Sequence, residues 1–270
     1  DEIEFTTINT DGTTTYAWAN DNTAIGLAAS GPEIATATTI PSFVVTNNTT
    51  NALVATIEVT PTYENNGVIC VGDPETFTIT VNPLGQVEPV LSQELCAGDS
   101  TDEITFETTN TNGTTTYTWT NDNPAIGLAA SGTGDILSFT PSLILPNSEI
   151  ATIEVTPTYT NNGVICVGNP ETFTITVNPL GQVDPIVSQV ICVGDSTQSI
   201  TFETANTDGT TTYAWTNDNT DIGLGAGGIG DIPSFVVTND TTDTLVATIE
   251  VTPTYENNGF TCTGDSETFI

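Results

Sequence analysis

The same phrase is written three times along this chain: TTTYAWANDN around Trp18, TTTYTWTNDN around Trp119 and TTTYAWTNDN around Trp215. TIEVTPTY recurs at Thr56, Thr152 and Thr248, and ETFTITVNPLGQV at Glu75 and Glu171. The second and third copies are offset by 96 residues throughout. The first and second are offset by 101 up to Ser30 and by 96 from Ala55, so the first copy carries five extra residues within 31–54. Near-identity at a domain-sized period means tandem domains of one fold, each able to build its own core. The expected domains are 1–83, 84–179 and 180–270. Asp1 aligns with Asp102, and Ile270 stops before the third copy repeats 175–197. The first domain is therefore expected to lack its beginning and the third its end, as in a piece of a longer array.

Within a copy, apolar residues alternate with Thr or Glu at a period of two. Phe173, Ile175 and Val177 point one way and Thr172, Thr174 and Thr176 the other. Ile153 and Val155 do the same against Thr152, Glu154 and Thr156, and Ile104 and Phe106 against Thr105 and Glu107. That period belongs to half-buried antiparallel strands with one wet face. Turn signals divide the runs at Asn112-Gly113, Asn162-Gly163, Gly168-Asn169-Pro170 and Asn178-Pro179. About seven short strands per copy predict an all-β fold of tandem immunoglobulin-like Greek-key β-sandwiches. Trp119 is expected to pack near an inter-sheet disulfide. The links VNPLGQVEPVLSQ and VNPLGQVDPIVSQ hold two prolines each and no Gly/Ser tract, so the sandwiches are expected to form an extended rod.

Charge narrows the chemistry further. The chain has 34 Asp and Glu and not one Lys, Arg or His. No imidazole is present to act as base or ligand, and no Schiff base, phosphate clamp or nucleic-acid contact can be built. The acids recur in turns and on wet strand faces, so no catalytic residues are assigned and no enzyme is expected. No apolar run approaches the 18 or more residues of a membrane span. No cofactor is required. Ca²⁺ or other divalent cations are expected to gather diffusely around so acidic a chain, with Asp99, Asp102 and Asp195 as candidate specific ligands.

Cysteine spacing offers two pairings. Cys96 and Cys166 are 70 residues apart, as are Cys192 and Cys262. The favoured reading bonds each pair within its own domain and leaves Cys70 with a partner outside the chain. The alternative, Cys70–Cys96 with Cys166–Cys192, crosses the links and stays open. Either one implies an oxidising compartment.

The motif C-x-G-D-S, the YxWxND phrase and the closing TPTYxNNGVxCxGxxETFTITVNP resemble PKD-like, immunoglobulin-type tandem repeats of giant bacterial cell-surface adhesins, including those of gliding bacteria exported by the type IX route. The resemblance covers the whole chain. It implies an extracellular, cell-surface stalk whose partners are other repeats of the same long chain, with a surface or glycan ligand bound by regions outside this segment. It also suggests O-glycosylation at short Asp-Ser/Thr sequons, here Asp99-Ser100, Asp195-Ser196 and Asp243-Thr244. A laterally assembled filament and a carbohydrate-binding array are the alternative functions.

Overall fold

The computed structural model describes residues 1–31, 38–141 and 146–270. Residues 32–37, which fall in the stretch holding the five-residue insertion, lie outside it. The first repeat contains β1 (Ile3–Glu4), β2 (Thr13–Asn20), β3 (Thr39–Ile40), β4 (Leu53–Asn65), β5 (Val68–Val71) and β6 (Glu75–Val81). The second contains β7 (Gln93–Cys96), β8 (Thr114–Asn121), β9 (Ser131–Thr133), β10 (Glu149–Asn161), β11 (Val164–Val167) and β12 (Glu171–Asn178). The third contains β13 (Thr210–Asn217), β14 (Gly227–Ile229), β15 (Ile249–Asn257), β16 (Phe260–Thr263) and β17 (Glu267–Phe269). The fold is all-β, of immunoglobulin-like sandwich type. Among the described residues, the helical pieces are three single 3-10 turns, each capped by an Asn side chain and closed by a left-handed glycine.

By contacts, the chain gathers into two compact units. One comprises Asp1–Pro89, Phe106–Thr118 and Val155–Glu171; the other comprises Val90–Thr105, Trp119–Glu154 and Thr172–Ile270. The first contains the whole first repeat and the joint that follows it. The second contains the third repeat and the joint that precedes it.

In the first unit, β4 is the organising strand. It pairs antiparallel with β2 from Thr13↔Glu64 to Asn20↔Ile57, with β5 from Thr62↔Val71 to Asn65↔Val68, and with β6 from Leu53↔Val81 to Val59↔Glu75. The hairpin into β5 turns on Asn66 and Gly67 at φ 50° and 79°, where Asn tolerates the left-handed region and Gly occupies it freely. Alternation then buries Ala55, Ile57 and Val59 from β4 beside Tyr16 and Trp18 from β2, with Ile25, Leu27 and Ile40 closing the core. The third repeat reproduces this design: β15 pairs with β13, β16 and β17, and Ile249 and Val251, with Ala247 just before the strand, are buried beside Tyr213, Trp215 and Leu224.

Each repeat also buries an Asn at the end of its Trp strand. Asn217 donates from its amide to the carbonyls of Leu224 (3.1 Å) and Gly225 (3.2 Å), and its oxygen accepts from the Asn219 N–H (3.1 Å). Asn20 and Asn121 make the same set in their own repeats. A buried amide is tolerable here because its donors and acceptor all find partners.

The strand that opens a repeat runs in the direction that decides the cysteine chemistry. β7 pairs parallel with β12, from Ile175↔Gln93 to Asn178↔Cys96. Cys96 is thereby carried to the end where β12 leaves for the next repeat. The hairpin cysteine lies at the other end: in the first repeat Cys70 is level with Tyr63, while the close of β6 is level with Leu53. Ten residues of strand at about 3.3 Å each separate those levels by roughly 33 Å, against the ~7 Å limit between the Cα atoms of a disulfide. The intradomain pairs Cys96–Cys166 and Cys192–Cys262 are therefore corrected. The bond present is Cys96–Cys262, with Cα atoms 5.6 Å apart, and Cys70, Cys166 and Cys192 are free thiols. Cys70–Cys96 and Cys166–Cys192 are not formed either. Trp119 accordingly packs on no disulfide. It lies against Gly132, where a Cβ would clash with its ring, and its indole N–H donates to the Gly134 carbonyl (3.1 Å).

Candidate functional site: the joint between repeats

The most elaborated polar construction in the chain is the joint, and it is built twice. In the first unit, the Asn110 amide donates to the carbonyls of Leu84 (3.1 Å) and Thr50 (3.5 Å), and its oxygen accepts from the Gln86 N–H (2.8 Å). Thr111 donates its N–H to Thr50 O (3.2 Å) and its hydroxyl to Asn51. In the second unit, 96 residues on, Asn206 donates to Leu180 O and Pro146 O (both 3.3 Å) and accepts from the Gln182 N–H (2.9 Å). Thr207 donates its N–H to Pro146 O (3.4 Å) and its hydroxyl to Asn147. One Asn thus reads three backbone groups, two of them in the link itself.

The link is packed down. Pro83, Gly85, Pro179 and Gly181 are all buried. Gly85 N–H donates to Cys166 O, and Gly181 N–H to Cys262 O, each at 3.2 Å. Side chains are excluded from this contact. A Cβ on Gly85 would meet Pro157 O at 2.6 Å, and one on Gly168 would run into the Gly85 carbonyl. Glycine stands here because two backbones touch.

Burial follows the joint. Tyr63 and Pro61, in the repeat that no other precedes in this chain, are half-buried. Their counterparts Tyr159 and Pro157, and Tyr255 and Pro253, are buried, the two tyrosines completely. Tyr159 donates its hydroxyl to Thr111 O at 2.8 Å. The Tyr255 hydroxyl donates to Asp208 Oδ1 at 2.6 Å, while Asp208 Oδ2 accepts the Ser148 N–H at 2.7 Å. Ser148 in turn donates to Asn178 and accepts from Asn257. Burial, followed by the hydrogen bond to the Asp208 carboxylate, raises the Tyr255 pKa above the ordinary tyrosine value. Burial also raises that of Tyr213, helped by the charges of Asp184, Asp231 and Glu203. With their faces covered, Tyr159 and Tyr255 offer no platform on which a sugar could stack.

The disulfide completes the second joint. Cys96 ends β7, and the Ala97 N–H extends that ladder to Asn178 O (2.8 Å). Cys262 lies on β16 opposite Tyr255 and is 1% exposed. The bond joins the opening strand of the second repeat to the closing hairpin of the third.

The remaining sequence candidates lie apart from this site. Asp99 and Asp195 occupy exposed turns, their N–H groups donating back to Cys96 O and Cys192 O (both 3.1 Å). Asp102 is exposed and its backbone is held by Gln93, which accepts from its N–H (2.9 Å) and donates to its carbonyl (3.1 Å). Among the described residues, no group of three or more Asp, Glu, Cys or His is placed to hold a metal ion. Of the sequon residues, Ser100 shares a hydrogen bond with Thr140 (2.7 Å), and Ser100, Ser196 and Thr244 are all exposed. Among the described residues, no helix is long and apolar enough to cross a membrane.

One apolar cavity of about 200 Å³ lies in the third repeat, lined by Ile200, Leu224, Ile232, Phe235, Phe269 and others.

The joint was missed by sequence reasoning. The available signal was the pairing of an invariant link, NPLGQV, with a turn Asn 24 residues after its Gln, at Asn110 and again at Asn206.

No protein-family model matches the sequence, and no curated protein matches it. Among solved structures, the chain is similar to human CDH23 EC21-23, at 16% identity over 97% of this chain and 90% of that one, with a TM-score of 0.40. It is also similar to mouse cadherin-23 EC22-24 (14% identity, 96% and 85% covered, TM-score 0.35). A third is the set of three N-terminal domains of the bacteriophage RB49 highly immunogenic outer capsid protein (14%, 97% and 88%, 0.36). Likeness at this level bears on no ligand and no activity.

Proposed function

We propose that this chain is a segment of a secreted bacterial surface adhesin, acting as a stiff acidic stalk that projects a binding tip held elsewhere in the protein. The domains of that stalk are 1–83, 84–179 and 180–270. The observation that carries the reading is the duplicated joint: the same Asn, Thr and Gly contacts recur at two successive links, with the link backbone buried each time. A hinge would leave its backbone to water. A spacer needs the same angle at every joint, and identical contacts are how a chain specifies it.

Composition supports the role. With 34 acids and no Lys, Arg or His, neighbouring stalks repel one another and stay dispersed. The Cys96–Cys262 bond fits an oxidising, extracellular setting, and the motifs shared with PKD-like adhesin repeats favour a bacterial surface over other extracellular ones. The role is structural rather than catalytic.

Small-angle X-ray scattering tests it. Three sandwiches end to end span about 110–120 Å, from strands at ~3.3 Å per residue and their end loops. Such a rod has a radius of gyration of about 33 Å, whereas a collapsed chain of this length would have about 18–19 Å. A value near the smaller figure refutes the stalk.

A further inference from the structure

The three hairpin cysteines are equivalent in sequence and differ in what precedes them. Cys70, with no repeat before it in this chain, is exposed. Cys166, preceded by a repeat whose described strands include no counterpart of β7, is half-buried and free. Cys262, preceded by a repeat that has β7, is 1% exposed and bonded to Cys96. Exposure of the hairpin cysteine thus falls from Cys70 to Cys166 to Cys262.

The first repeat carries the strand that, in the second, receives β7. β6 and its counterpart in β12 have the identical sequence ETFTITV. β12 receives β7 in parallel, its Thr174 N–H donating to the Ser92 hydroxyl (3.0 Å) and its Asn178 amide to the Glu94 carboxylate (2.8 Å). Among the described residues, β6 is paired with β4 alone. Phe77 and Ile79 on β6 are half-buried, whereas Phe173 and Ile175 are 3% and 0% exposed. At the far end, Asn82 already accepts from Asn161, so the joint that would bring Cys166 to the incoming cysteine is in place.

We propose that Cys96–Cys262 is one member of a series in which the opening-strand cysteine of each repeat bonds the hairpin cysteine of the next, and that β6 with Cys166 is an unfilled receptor for an opening strand of the sequence VLSQELCAGDS (residues 90–100). Parallel pairing along 78–82 sets the strand's cysteine beside Cys166, as β12 sets Cys96 beside Cys262. By the same rule Cys192, exposed and free at the end of the third repeat's opening segment, occupies the position of Cys96. The inference concerns how repeats are joined and holds whatever the array carries.

The test uses the whole 270-residue chain and a synthetic peptide of residues 90–100 whose cysteine is a mixed disulfide with 5-thio-2-nitrobenzoate. The Cys166 thiolate, its proton released to solvent, attacks the peptide sulfur. The Cys166–peptide bond forms, the peptide–nitrobenzoate bond breaks, and thionitrobenzoate leaves with the electron pair, so no external oxidant is needed. Docking raises the effective concentration of the peptide at one thiol. Mass mapping after glutamyl-endopeptidase digestion should find Cys166 modified at least ~10-fold faster than Cys70 and Cys192, although both of those are more exposed. A Leu95→Asp peptide, which cannot bury the side chain that is 7% exposed in β7, should lose that preference. Equal modification of the three thiols, preference for Cys70, no modification of Cys166, or a preference that survives Leu95→Asp each overturns the proposal. A non-reducing map of the untreated chain must also show Cys96 joined to Cys262; Cys96–Cys166 or Cys192–Cys262 overturns it as well.

Discussion

Replacing Gly168 with Ala puts a methyl group where the Gly85 carbonyl stands and near the Pro157 ring, both well inside van der Waals contact. The first obstacle is backbone, so no rotamer change relieves it. The link must lift from the hairpin, breaking the Gly85 N–H to Cys166 O bond (3.2 Å) and straining the Asn110 contacts to Leu84 and Thr50. Overpacking of this kind costs about 1–3 kcal/mol, which corresponds to roughly a 5- to 150-fold shift in the docking equilibrium. The chain supplies its own control. Gly72 is the same residue one repeat earlier, with no link packed on it, and its Cβ would meet only the Pro61 side chain at 2.9 Å and nothing else closer than 3.6 Å. Hydrogen exchange at the amides of Gly85, Gln86 and Thr111 reads the joint directly, because all three are held by it. Gly168→Ala should accelerate their exchange by that factor and leave the amides of β2 and β4 unchanged, while Gly72→Ala should leave all of them near wild type. Equal behaviour of the two variants would refute the claim that the link is held by backbone contact.

Three other outcomes are expected. Asn217→Ala strands the Leu224 and Gly225 carbonyls and the Asn219 N–H, and should destabilise the third repeat by about 1–3 kcal/mol in thermal or urea unfolding; a loss below ~0.5 kcal/mol would count against its structural role. The raised pKa values of Tyr213 and Tyr255 mean that the folded chain keeps their protons longer than the unfolded one. Their contribution is fully present below the unfolded tyrosine value of about 10 and is lost as pH rises through the folded values, so the melting temperature should fall above pH ~10, and less steeply in Tyr255→Phe. With no basic side chain to pair its acids, the chain should melt several degrees higher as salt shortens the screening length from about 30 Å at 0.01 M to 3 Å at 1 M, and Mg²⁺ or Ca²⁺ should exceed Na⁺ at equal ionic strength; a flat response contradicts this.

The strands were legible because their signal is local. Period-two alternation placed Ile153, Val155, Phe173, Ile175 and Val177 inside, and each is 3% exposed or less. The turns at Asn112 and Asn162-Gly163 were equally legible, since few residues accept φ values of 62°, 48° and 78°. The disulfide was not. Its partner depends on whether the opening strand runs parallel or antiparallel to the strand beside it, and alternation is blind to direction. An opening segment running antiparallel would head toward the hairpin end; the parallel register of Asn178↔Cys96 carries Cys96 to the next repeat instead. The Asn110 and Asn206 contacts were hidden for a related reason. An Asn in a turn reads as a turn former, and only the adjacent repeat reveals that its amide reaches across.

The placement of Cys96–Cys262 also decides which parts of the chain feel a pull on its ends. Tension entering at Asp1 runs along the backbone to Cys96, crosses the sulfur bridge to Cys262 and leaves through Ile270. Residues 97–261 lie in a covalent bypass and carry almost no load, while the residues before Cys96 and after Cys262 stay on the load path, so the first repeat supplies most of the slack. Single-molecule stretching should therefore show one large unfolding step in the oxidised chain and additional steps once the bridge is reduced. A tether built this way limits its own extension through a single pair of sulfur atoms.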